Sequence, residues 1–296
     1  MKIRDILQRN ERGFALEFFP PKGEEGKGAF LEVVNDLKAF GPLYLSVTYG
    51  AGGTTRERTL NALRWLRADS RLPLMSHLTG IGATRDAIGS IVDELEALGI
   101  GNILALRGDP PKNAPDIDMA KGEFPFARDL VEYLKKTGLF SLGVAVYPEG
   151  HPQSPSLAKD LEYTKQKIDA GADFAITQMF FENDLYYRFR ERAMRAGIAI
   201  PVIPGIMPIF DCKRIKEFAN VCNTTIPQAI LDRIEPVMDM PEEVRKLGVE
   251  FAVKQVRDLM KHGVKYIHFY TMNRADAVIQ ILNATGMGRR QAPVAA

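Results

Sequence analysis

A carboxylate stands inside an otherwise apolar run, FALEFF at residues 14–19. Alternate residues of a strand face opposite ways, so Phe14, Leu16 and Phe18 share one face while Ala15, Glu17 and Phe19 share the other. An ionised carboxylate buried there without a partner is strongly disfavoured and takes up a proton instead. One reading of Glu17 is a structural carboxylate paired with a core Arg or with backbone amides. The other is a general acid whose pKa is raised by apolar walls of the Phe14, Phe18 or Phe19 kind, and its place near the end of the first strand favours this one.

Other residues carry chemistry by type and position. Arg107-Gly108-Asp109, followed by two prolines, reads either as a rigid turn with an ion pair or as a loop where Gly admits a ligand to the backbone. In the second case Asp and Arg address the polar edge of a planar heterocycle. Gln178 ends an apolar run; its amide is either a structural hydrogen-bonder or a two-way partner for an amide-containing ring such as a pterin. His77 and His151 close strand-like runs, whereas His262 and His268 fall at a helix end and within a strand, where a lone His is more often structural. Cys212 and Cys222 form no CxxC, and HxH and HExxH are absent, so neither a metal site nor a disulfide framework is expected. No GxSxG, Cys-His pair or P-loop points to covalent or nucleotide-triphosphate chemistry.

The elements that must position these groups repeat regularly. Strand-like runs lie at residues 14–19, 43–50, 74–80, 102–109, 142–149, 174–181, 202–208 and 266–273. Between them come amphipathic stretches, for example from Thr54 to Ala68 and from Thr84 to Leu98 with Gly99 as a stop, and about three helical segments between Asp211 and His262. Eight strand–helix units predict an α/β fold, a (β/α)8 TIM barrel with additional helices between strands 7 and 8. A doubly wound sheet lacks support, because Gly80-Ile81-Gly82 follows a strand without the third glycine of a dinucleotide fingerprint. Barrels carry their sites at the C-terminal strand ends. That rule gathers Glu17, Thr48, Tyr49, His77, Arg107, Gly108, Asp109, Tyr147, Glu149, His151, Gln178, Tyr270, Asn273 and Arg274 at one mouth.

No linker divides the chain, so one catalytic domain over residues 1–296 is expected, with a frayed tail after about residue 287. The 39 basic and 37 acidic residues nearly cancel and form no single-sign block, which disfavours nucleic acid and membrane surfaces as partners. No apolar run has membrane-spanning length and the N-terminus lacks a signal peptide's core, so the cytoplasm is the expected location.

FALEFFPPK, SVTYGAGGTTRERT, HLTG, ALRGDPP, YPEGHP, DFAITQMFF, PGIMP and HFYTMNRA, in this order from about Gly13 to Arg274, resemble methylenetetrahydrofolate reductase of the bacterial single-domain type. The resemblance implies FAD as cofactor and NADH or NADPH as electron donor. It implies a ping-pong hydride relay that reduces 5,10-methylenetetrahydrofolate to 5-methyltetrahydrofolate for methionine synthesis, an oxidoreductase acting on CH–NH donors. It makes Glu17 the general acid and Asp109 the residue that faces the pterin and tunes the flavin. Gln178, Arg274 and Thr48 would bind substrate. FAD contacts implied are Thr48, Tyr49, Ala51, His77, Arg107, Gly108, Asp109, Ala127, Tyr147, His151, Asp160 and Lys167, the last near the pyrophosphate.

The chain departs from the family in places. Gln166 stands where a second basic residue is common, Tyr163 where an amide is, and Phe126 where some members have Tyr; Cys212 aligns with an aromatic that folds over the substrates, with Phe210 two residues earlier. A homo-oligomer is expected, and no response to S-adenosylmethionine. Two rival readings are folate reduction fed by an electron-transfer partner, such as an iron-sulfur subunit, and a non-catalytic folate or flavin carrier.

Overall fold

Gly13–Phe18 forms the first strand, β1, and every neighbour it acquires is parallel. The computed structural model describes residues 1–49, 54–109 and 122–288. Along the chain follow α2 (Lys27–Lys38), β2 (Leu45–Val47), α3 (Thr54–Asp69), β3 (Leu74–Thr79), α4 (Arg85–Ala97), β4 (Asn102–Leu106), α5 (Ala127–Thr137), β5 (Ser141–Val146), α6 (Leu157–Asp169), β6 (Phe174–Thr177) and α7 (Asn183–Arg195). The seventh strand is split into β7 (Val202–Ile203) and β8 (Gly205–Ile206), and β9 (Tyr266–Tyr270) and α11 (Ala275–Thr285) end the series. The strand order β7-β6-β5-β4-β3-β2-β1-β9-β8 closes on itself, because β7 and β8 are two halves of one strand. This is the expected (β/α)8 barrel, and all its pairings are parallel.

Pro204 makes the split. It has no N–H for the ladder, but its carbonyl accepts from His268 N at 2.9 Å, and the chain turns from pairing with β6 to pairing with β9. Gly205 then lies where a Cβ would stand 2.5 Å from the Thr177 carbonyl and 2.6 Å from the Tyr270 ring, so close approach of strands at this seam requires glycine.

The long connection after β8 contains α8 (Cys212–Cys222), α9 (Gln228–Ile234), a 3₁₀ turn and α10 (Pro241–Lys261). They enclose a separate small core around Met179, Ile209, Cys212, Ile215, Ile230 and Val244. Several strands end earlier than the sequence predicts: β2 stops at Val47, β4 at Leu106 and β6 at Thr177. Beyond those points the backbone leaves the ladder to build the mouth, although Thr48 N still bonds Phe18 O and Gln178 N still bonds Val146 O.

Strand parity divides the core in two. Outward residues such as Phe14, Leu16, Phe18, Ile103 and Val144 meet the helices, while Ala15, Tyr44, Met75, Leu104, Phe174 and Ile203 fill the barrel. A helix not expected from the sequence, α1 (Ile3–Arg9), closes the floor with Ile3, Ile6 and Leu7. Asn102 holds it there, with Oδ1 accepting from Ile3 N at 2.7 Å and Nδ2 donating to Leu74 O at 2.9 Å. Seven residues are too few for a periodic signal, and only the open barrel end gives them a partner.

Candidate functional site

Inward parity brings Glu17 of β1, Ser46 of β2, His77 of β3 and His268 of β9 together within the barrel, in a register that pairs Glu17 with Ser46 and Tyr270, and Ala15 with His268. Glu17 Oε2 lies 2.8 Å from His268 Nε2 and 3.4 Å from His77 Nε2, and Ser46 Oγ is 2.7 Å from the same His77 nitrogen. All four side chains are buried. His268 is the residue that sequence reasoning missed. Since Tyr270 faces the mouth, the residue two before it faces the barrel, and that parity was the available signal.

The walls expected around Glu17 are corrected by this arrangement. Phe14 and Phe18 lie on the opposite strand face, Phe18 edge-on to Phe30 at 6.0 Å, and Phe19 stands half-exposed at the rim. Burial is still the largest influence on Glu17 and raises its pKa. The charge of His77 and the hydrogen bond and charge of His268 together outweigh it, and the carboxyl sits below the ordinary carboxylate range. The expectation of a raised value therefore fails for the uncovered site. Burial also lowers the pKa of His77, with Glu17 pulling the other way. His268 Nδ1 and Tyr44 OH are buried with no hydrogen-bond partner among the described residues.

The end of β9 fixes the end of β1. Thr271 Oγ1 donates to Glu17 O at 2.6 Å, and Asn273 clasps the Phe19 backbone, Nδ2 to O at 2.8 Å and Oδ1 from N at 2.9 Å. Met272 and Asn273 reach this geometry with φ of 52° and 54°, an uncommon backbone state for non-glycine residues.

Above the buried cluster opens a chamber of ≈ 220 Å³ lined by Glu17, His77, Leu104, Ala145, Tyr147, Ile176, Gln178 and Tyr270. Tyr147 also lines a cleft of ≈ 460 Å³ with Arg107, Phe126, Ala127, His151, Asp160, Tyr163 and Lys167, and a smaller recess of ≈ 160 Å³ containing Gly108 and Asp109. Most of the sequence-predicted mouth is thereby assembled. Lys167 Nζ donates to Ala145 O at 2.6 Å; burial pushes its pKa down to about 8 against the pull of Asp160. Asp160, buried, accepts from Ser154 Oγ at 2.8 Å. His151 packs edge-on to Tyr147 at 4.7 Å, and burial and then Arg107 lower its pKa.

Some candidates sit elsewhere. Tyr49 packs against the helix layer and Thr48 receives Thr59 Oγ1 on its carbonyl at 2.8 Å, so neither side chain lines these clefts. Ala51 lies outside the described residues. Asp109 is exposed at the recess edge. Glu149 is occupied by Thr225 N at 3.0 Å and Asn273 by Phe19, which makes both structural. Arg274 is exposed and lies over the Phe210 ring at 5.5 Å. Cys212 is buried in the helical annex, so the half-buried Phe210 is the nearby aromatic facing the rim. Gln166 accepts from Arg128 at 2.6 Å. Among the described residues no group of three or more His, Cys, Asp or Glu side chains is placed to hold a metal, and no helix is long and apolar enough to cross a membrane.

The sequence profile of methylenetetrahydrofolate reductase matches residues 2–286. The chain belongs to the methylenetetrahydrofolate reductase family. It is 38% identical over 273 residues to 5,10-methylenetetrahydrofolate reductase of Escherichia coli K12, covering 92% of this chain and 90% of that one. It is 35% identical to methylenetetrahydrofolate reductase (NADH) 1 of Arabidopsis thaliana, covering 97% of this chain but 50% of the plant protein. The chain thus spans about half the length of the plant relatives it matches. Among solved structures, a Clostridium thermocellum protein described as binding two copies of 5-methyl-5,6,7,8-tetrahydrofolic acid shares the fold, with a TM-score of 0.66 at 15% identity over 97% of this chain and 99% of that one.

Proposed function

We propose that this protein reduces 5,10-methylenetetrahydrofolate to 5-methyltetrahydrofolate, with FAD in the mouth clefts and NADH or NADPH as donor, thereby supplying methyl groups for methionine synthesis. Family membership and the names of the bacterial and plant relatives support the reaction, and the Clostridium protein's ligand supports folate as the class of substrate. The observation that carries it is a carboxylate wired to two imidazoles at the floor of a chamber that opens onto a cationic cleft.

The residues present fit a flavin dinucleotide. Lys167 keeps donors beyond its one bond to Ala145, Arg107 lies beside it, and both face the cleft below the α5 N-terminus, a setting for a pyrophosphate. Gly108, with φ of +90° and a Cβ position already filled by Ile81 at 2.7 Å and Thr79 at 2.9 Å, must be glycine for the loop to turn along the recess that it lines. When bound, FAD supplies the hydride carriage between nicotinamide and folate in two alternating half-reactions. Tyr147 and His151 would flank it, while Gln178 offers an amide to whichever substrate occupies the chamber; Oε1 now accepts Met179 N at 2.9 Å, leaving its NH2 for that role.

Glu17 moves the proton. In the uncovered site it is an ionised acceptor, and a substrate closing the chamber removes the remaining water, strengthening the burial effect that raises its pKa. The Glu17 carboxyl, protonated from solvent before the chamber closes, then gives its proton to the folate nitrogen that leaves as the five-membered ring opens, and the imidazole of His268, at 2.8 Å from Oε2, holds the carboxyl in position. The test is to follow the two half-reactions separately. The purified protein should be yellow, bleach with NADH and recover its colour with methylenetetrahydrofolate; a colourless protein that does not take up FAD contradicts the proposal.

A further inference from the structure

Three consecutive residues at the end of α8, Asn223, Thr224 and Thr225, each bond to a different point of the mouth loops. Asn223 caps the helix in the left-handed state, with φ of 54°, and turns the chain out of it. Its Nδ2 donates to Gly150 O at 3.3 Å, Thr224 Oγ1 donates to Met179 O at 3.1 Å, and Thr225 N donates to the Glu149 carboxylate at 3.0 and 3.1 Å. Thr224 is buried and Glu149 half-buried. One segment thus holds two loops of the mouth. The first, after β5, carries Tyr147 and His151 of the cationic cleft; the second, after β6, carries Gln178 of the chamber.

Each bond lies one or two residues from a group that lines the site. Glu149 and Gly150 stand between Tyr147 and His151, and Arg192 of α7 donates to Pro148 O at 3.2 Å, so the backbone linking the two rings is anchored at three successive residues. On the other loop, Met179 N is the donor that orients Gln178 Oε1, at 2.9 Å, and Thr224 holds the carbonyl of that same Met179. We propose that residues 223–225 are the common anchor that sets the flavin-side pair Tyr147 and His151 against the substrate-side amide of Gln178, with Glu149 and Thr224 as positioning residues on separate arms. The inference rests on the flavin and folate reading above. A carboxylate suits the first arm because both its oxygens receive one N–H, which limits the loop to one pose. A hydroxyl suits the second because it satisfies a buried carbonyl without bringing in a charge.

The test measures FAD affinity by flavin fluorescence, KM and kcat for methylenetetrahydrofolate at saturating FAD, and the melting temperature, in variants of each arm. Glu149→Ala should weaken FAD binding roughly tenfold, the low end for losing a hydrogen bond to a charged group, while that KM stays within about twofold. Glu149→Gln keeps an acceptor oxygen and should retain most of the affinity. Thr224→Val keeps the volume and loses the hydroxyl. It should raise the KM roughly threefold to tenfold with kcat little changed, as for an interaction made equally in ground and transition states, and leave FAD affinity within about twofold. Thr224→Ser should restore the KM. If Glu149→Ala and Thr224→Val change FAD affinity and KM in the same proportion, in step with melting temperature, or change neither, the anchor serves the fold alone and the proposal is overturned. If the unaltered protein binds no FAD, or binds it without reducing the folate, the flavin and folate reading is overturned and this inference with it.

Discussion

Glu17 and His77 make opposite demands on the same buried space. The carboxylate is held ionised by imidazole charge and hydrogen bonding, whereas burial works against charge on His77. Both groups have folded-state pKa values below their unfolded ones, so the unfolded chain binds more protons and stability falls with falling pH. The His77 contribution is complete above about pH 6.5, the ordinary histidine value, and is lost as pH drops through the folded-state value. Glu17 adds the same sense of change below its ordinary 4.5. Melting temperature measured against pH should show this acid step, and His77→Gln should diminish the part that starts near pH 6.5; parallel curves would refute the assignment. Glu17→Gln should slow folate reduction roughly 10²- to 10⁴-fold, the range for loss of a positioned acid. Flavin reduction by NADH should stay within about twofold, as the proton is needed only in the folate step; stopped-flow absorbance separates the two.

At the scale of elements, one seam and one clamp place the site. The split at Pro204 lets β7 and β8 serve different neighbours, and Gly205 allows Thr177 and Tyr270 to meet there, with Tyr270 OH donating to Thr177 O at 2.6 Å. Gly205→Ala should destabilise the protein by about 1–3 kcal/mol, the usual cost of overpacking a filled core, measurable by urea unfolding. The clamp of Asn273 on Phe19 is a pair of hydrogen bonds at the exposed rim. Asn273→Ala should cost about 1–2 kcal/mol and impair the folate half-reaction beyond that of flavin reduction, because it frees the strand end that aims Glu17. Equal effects on both half-reactions would mean that the clamp supports only the fold.

Across the whole molecule, the floor helix α1 and the mouth lie at opposite ends of one barrel, so stability and chemistry are separable. Asn102→Ala removes the bonds to Ile3 and Leu74 and should lower the melting temperature while leaving FAD affinity, read by flavin fluorescence, within about twofold. The mouth answers differently. FAD binding should raise the melting temperature with increasing cofactor concentration, as for any ligand that binds only the folded state.

Much of this was legible from sequence. Eight apolar runs with helices between them dictate a barrel because each strand must be buried on both faces, and the rule that strand ends carry chemistry selected Glu17, His77, Tyr147 and Gln178, which now line one chamber. Parity also placed Phe14 and Phe18 opposite Glu17. What sequence left undecided depended on neighbours hundreds of residues apart. Two imidazoles in place of apolar walls reverse the direction of the Glu17 shift, and His268, 251 residues away, becomes its nearest partner only once β9 pairs with β1. Glu149 and Asn273 look like mouth residues in sequence and turn out to be bonded to backbone. A residue's type states which bonds it can make; barrel closure decides which of them it does make.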